Sequence, residues 1–135
     1  MDAPAVAVSH DAKTMAAAWM DMRSGANNRD VQWTVAASGK FPPEVTVHDD
    51  KAGSQGHPSL VIDREGVVWC AWEDARQGPN DQRIYVADSK SRKNVALSGP
   101  PEGKCGYPSL ASGGGSVGVA YESGSNISFR VLSGK

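Results

Sequence analysis

Ala18-Trp19-Met20-Asp21-Met22-Arg23-Ser24-Gly25 and Ala71-Trp72-Glu73-Asp74-Ala75-Arg76-Gln77-Gly78 spell one pattern, A-W-x-D-x-R-x-G, with their tryptophans 53 positions apart. A worn third copy, Ala120-Tyr121-Glu122-Ser123-Gly124, follows 49 positions after the second. A unit of about 50 residues cannot bury its own apolar face. It has the size of one propeller blade or one solenoid turn, which is stable only when stacked on its neighbours. The 135 residues therefore read as a single domain, 1–135, made of three stacked units.

Aligning the units places the strands. Each opens on a proline and a short apolar run: Pro4–Val8, Pro58–Ile62 and Pro108–Ala111. Turns follow at His10–Lys13, Asp63–Gly66 and Ser112–Gly115. The aromatic-bearing strand comes next, at Met15–Met20, Val67–Glu73 and Val117–Glu122. A third strand is expected at Val31–Ala36, Ile84–Ala87 and Ile127–Leu132, and a fourth only in the first two units, at Glu44–Val47 and Asn94–Leu97. Val67-Val68-Trp69-Cys70-Ala71-Trp72 is apolar on both faces, as a strand sandwiched between neighbours must be. Thr14–Met20 favours helix by propensity alone, but the same slot in the second unit favours strand, and the repeat decides for strand.

The expected fold is all-β, with about three four-stranded antiparallel blades: 4–48, 57–98 and 107–133, the last without its fourth strand. A closed propeller takes about four to eight blades. Three leave two uncovered faces and unpaired strand edges, a drive to associate. Either a homodimer supplies six blades, or the chain is a piece of a longer propeller. Met1-Asp2-Ala3-Pro4 lacks the basic and apolar stretches of a signal peptide and leads almost at once into the first strand. That start looks like an internal or mature segment, so the parent protein is one that could be secreted or periplasmic.

Fourteen Lys and Arg against fifteen Asp and Glu leave a net charge of −1, without the basic stripe of a nucleic-acid binder. No apolar run is long enough to span a membrane. Nucleic acid and membrane are therefore not expected as partners. The two cysteines are too few to read as a disulfide framework, and whether they pair stays open. Cys70, mid-strand, is expected to be buried, and Cys105, in a Gly-rich loop, to be exposed.

The run from His57 to Arg76, H-P-S-L-V-I-D-R-E-G-V-V-W-C-A-W-E-D-A-R, with Asp81-Gln82-Arg83-Ile84-Tyr85-Val86-Ala87 after it, resembles the sialidase-like, BNR-repeat propellers of bacteria. Ser38-Gly39-Lys40-Phe41-Pro42 is similar to a shortened Asp-box turn that has lost its Asp and carries Phe41 in place of Trp. The resemblance is sharpest between Gly56 and Ser89 and implies a six-bladed ring in the complete form. It argues fold rather than activity. The family's arginine triad, Tyr–Glu nucleophile pair and Asp acid/base have no matching set here, so the resemblance assigns no catalytic residue.

Asp21/Arg23 and Asp74/Arg76 have two readings. In one, Asp caps its own turn, Gly25 or Gly78 supplies a positive φ, and the Arg fork binds that Asp or a neighbouring unit. In the other, the Arg grips a carboxylated or hydroxylated ligand. Repetition in successive units favours the first. Gly56-His57-Pro58-Ser59-Leu60 recurs as Gly106-Tyr107-Pro108-Ser109-Leu110. The topology expects His57, Tyr107, Asp74, Arg76 and Glu122 around one mouth of the channel, where they could hydrogen-bond a sugar or serve as acid/base groups. The alternative is that His57 and Tyr107 simply pack ahead of a turn-fixing proline. Trp19, Trp72 and Tyr121 share one slot and read as inter-unit packing, as do Trp33 and Trp69. The loops holding Asp21, Asn27, Asn28, Asp30 and Asp74, Asn80, Asp81 offer oxygen donors suited to calcium. Without a D-x-D-x-D-G pattern, no cofactor is expected. Asp49-Asp50 reads as a solvated loop.

Three functions fit these residues. The favoured one is a non-catalytic propeller module that binds glycan or another ligand at the channel mouth and is completed by self-association. The others are a fragment of a sialidase-like glycoside hydrolase and a structural or engineered half-propeller without ligand.

Overall fold

Alternation of β-branched or aromatic residues with small ones becomes antiparallel ladder in all three units. The computed structural model describes residues 3–99 and 103–133. Met1 and Asp2, which entered the reading of the chain's start, lie outside the described residues. The first sheet runs in chain order through β1 (Ala5–Val8), β2 (Thr14–Asp21), β3 (Asp30–Ala37) and β4 (Val45–Thr46). The second does the same through β5 (Gln55–Ile62), β6 (Val68–Asp74), β7 (Arg83–Asp88) and β8 (Val95–Ala96). The third holds β9 (Cys105–Gly113), β10 (Ser116–Ser123) and β11 (Asn126–Ser133). No helix occurs among the described residues.

β2 takes in the Ala- and Met-rich stretch and pairs with β3 from Thr14 opposite Ala37 to Asp21 opposite Asp30. Ladder bonds and burial between sheets outweigh helix propensity there. β5 and β9 begin earlier than their prolines, at Gln55 and Cys105. The ladder pairs Gly56 with Glu73, slips, and resumes with Ser59 opposite Ala71. The third sheet repeats the slip between Glu122–Gly106 and Ala120–Ser109. Proline has no N–H to give a ladder, so a bulge at His57-Pro58 and Tyr107-Pro108 lets pairing continue past it.

The sheets stack through two cores. The face of the first sheet bearing Ala16, Ala18, Val31 and Trp33 meets Leu60, Cys70, Trp72 and Tyr85 of the second. The opposite face of the second, with Ala71, Ile84 and Val86, meets Cys105, Val119 and Tyr121 of the third. Each unit thus has a leading face, carrying Trp72 or Tyr121, and a trailing face one residue out of phase. Trp33, Trp72 and Tyr121 are buried, and Trp69 packs half-buried on the second core with its Nε1 donating to Asp63 Oδ2 at 2.9 Å. Trp19, which has no unit before it, is half-buried.

Cys105 corrects its expectation: it is buried, because β9 starts at that residue and turns its side chain into the second core. Both cysteines are free thiols.

Candidate functional site

The D-x-R-x-G loops close on themselves. Asp74 is fully buried and accepts from Arg76 N at 2.9 Å, Arg76 Nε at 3.0 Å, Arg76 Nη2 at 2.8 Å and Trp72 Nε1 at 2.8 Å. Burial pushes the Asp74 carboxyl up, but the bonds from Arg76 and Trp72 outweigh it and hold the group below the ordinary carboxylate value. The rest of the Arg76 fork reaches Asp49 Oδ1 at 2.7 Å and Asn94 Oδ1 at 3.2 Å, and its plane lies 4.1 Å over the Tyr85 ring. Asp49 is therefore not merely a solvated residue: it ties the loop after the first sheet to the second. In the first unit Asp21 accepts from Arg23 N and Nε, both at 2.8 Å, and Arg23 also binds Glu44 at 2.8 Å. Arg23 lowers the Asp21 carboxyl to about 2. Gly25 and Gly78 hold φ of 111° and 123° at the ends of these turns.

A different cluster forms at the same end of the sheets. His57 (φ 47°) and Tyr107 (φ 51°) are left-handed residues at equivalent bulges. For bulky side chains that conformation is strained, and such strain is concentrated at ligand sites. Their rings lie 4.6 Å apart at 54°. Both residues bind the nearly buried carboxylate of Glu73. Its Oε2 is 2.7 Å from His57 Nδ1, and its Oε1 accepts the Tyr107 backbone N–H at 2.8 Å. An ionised carboxylate only accepts, so Nδ1 carries a proton and the ring is fixed in orientation. Gly106 makes room: a Cβ there would come within 2.8 Å of Glu73 Oε1. Tyr107 stays 60% exposed.

Of the expected residues, His57 and Tyr107 are brought together. Glu122 stands in register opposite Gly106 and, with Tyr107, Gln82 and Lys104, lines a shallow concavity of about 260 Å³. Asp74 and Arg76 share that end, but Asp74 follows Glu73 on β6 and its side chain lies on the other face, beside Trp72. Asp21 and Arg23 belong to the first unit's turn. Of the residues in the calcium reading, Asp21 is occupied by Arg23, and Asp30 accepts from Ser24 Oγ at 3.0 Å. Sequence reasoning missed Glu73. The signal was its recurrence as Glu122 in a slot the motif leaves variable. A larger cleft of about 800 Å³ opens at the opposite end, among the hairpin turns that carry Asp11, Asp63 and Gly114. Its two aspartates are spent locally. Asp11 accepts from Ser9 and Lys13, and Asp63 accepts from Glu65, Val67 and Trp69.

No protein-family model matches the chain, and no curated protein matches its sequence. Among solved structures it is similar to a thermostable family-43 glycoside hydrolase, a five-bladed β-propeller, with a TM-score of 0.65 at 15% identity over 96% of this chain. The fold is that of β-propeller blades. The chain spans 49% of that enzyme's length. At this identity the likeness concerns architecture alone.

Proposed function

We propose that the chain is a β-propeller module that binds carbohydrate at the mouth lined by His57, Glu73, Tyr107 and Glu122. One observation carries the reading: two equivalent, left-handed ring residues converge on one anchored carboxylate beside an open concavity. An exposed phenol ring offers a sugar an apolar face and a hydroxyl to bond, while carboxylates accept from sugar hydroxyls. The Asp21/Arg23 and Asp74/Arg76 pairs serve the turns that hold this mouth.

A glycoside hydrolase fragment is the second reading, favoured by the family-43 neighbour and by two carboxylates, Glu73 and Glu122, that both stand beside Gly106. Glycoside hydrolysis uses a pair of carboxyl groups flanking the scissile bond. The sialidase type rests on the sequence resemblance alone.

Calorimetric titration with a panel of neutral and acidic oligosaccharides tests the first reading. Binding is expected to fall at least tenfold in Tyr107→Ala, and to weaken in Gly106→Ala, where the new methyl displaces the Glu73 carboxylate while circular dichroism stays unchanged. Equal affinity in Tyr107→Ala overturns the site. Turnover of an aryl glycoside that vanishes in Glu73→Gln replaces binding with catalysis.

A further inference from the structure

The two uncovered faces of this stack are of opposite kinds. On the last unit the trailing face is open: Ile127 (73% exposed), Phe129 (62%) and Val131 line it, and a Cβ on Gly118 would meet the Phe129 ring at 2.8 Å. Register assigns these positions their counterparts. Ile127 faces Glu122 as Ile84 faces Glu73 and Val31 faces Met20. Phe129 likewise faces Ala120 as Val86 faces Ala71 and Trp33 faces Ala18. Val31, Trp33, Ile84 and Val86 are all buried under a following unit. On the first unit the leading face is open, with Val6 (65% exposed), Val8 and half-buried Trp19 where the second unit has buried Leu60, Ile62 and Trp72.

We infer that the open trailing face of one copy seats the open leading face of a second, and that two such contacts close a two-fold ring of six blades. The contact continues the two seams already present in the chain: aromatic on the leading face, β-branched or aromatic residues and Ala on the trailing face. Glu122 then meets the amide of the second copy's Ala3, the residue before Pro4, as Glu73 meets Tyr107 N ahead of Pro108. A head-to-tail contact closes only if the turn between units divides the circle evenly; otherwise it runs on as an open series.

Light scattering on the full chain is expected to give one species of twice 14.2 kDa. Val6→Asp and Phe129→Asp, both at exposed positions, are each expected to give folded monomers. Mixing the two is expected to restore a dimer, because one variant keeps an intact trailing face and the other an intact leading face. A monomeric wild type overturns the inference. So does a mass that climbs with concentration, or a Val6→Asp protein that remains dimeric.

Discussion

Adjacent residues on β6 divide structure from chemistry. Asp74 is consumed by the turn, whereas Glu73 presents a carboxylate between two units. Because Asp74 ionises more readily in the folded chain than in the unfolded one, the stability it adds is complete above the ordinary carboxylate value of 3.8 and is lost as pH falls below it. Asp21, held at about 2, adds to the same acid loss. Asp74→Asn is expected to cost about 1–3 kcal/mol at neutral pH. Urea unfolding should show its gap from wild type narrowing below pH 3.8. A gap that ignores pH would contradict the ion pair. The Asp74–Arg76 link was legible, since D-x-R brings a carboxylate and a fork together within one turn. Glu73 was not, because its partners His57 and Tyr107 stand 16 and 34 positions away and its slot is Met20 in the first unit.

At the scale of elements, the aromatic slot measures how completely each unit is covered. Trp72 sits in a seam at 0% exposure, so Trp72→Ala should cost about 3–5 kcal/mol in urea unfolding. Trp19→Ala, at the same repeat position, should cost clearly less in the monomeric Phe129→Asp background, where no second copy covers the half-buried ring. Equal losses would mean that the seams do not set the stability of these strands. Strand order and the four-four-three inventory could be read from the aligned repeats. The bulges could not, although both lie beside a proline. A proline announces that a ladder bond is missing, but not whether the strand stops there or kinks and goes on. The two-residue outer strands β4 and β8 were likewise read too long, as Glu44–Val47 and Asn94–Leu97. At their far ends Val47 and Leu97 still bond the neighbouring strand, Val47 N to Val31 O at 3.0 Å and Leu97 N to Ile84 O at 2.8 Å, but the regular pairing stops before them.

For the whole molecule, the period gave the stacking, and the unequal ends gave the prospect of company. What the period did not convey was how the loop before β9 folds, and so where Cys105 goes. That placement has a use. Cys70 belongs to the first core and Cys105 to the second, so each seam contains one thiol of its own. Burial also pushes the Cys70 thiol up, away from its reactive thiolate form. A thiol reagent therefore marks Cys70 or Cys105 only while the corresponding seam is parted. Mass spectrometry of the labelled peptides over time should time the two partings separately in the unaltered protein. Should Cys105 react faster than Cys70, the chain comes apart from its third unit inward.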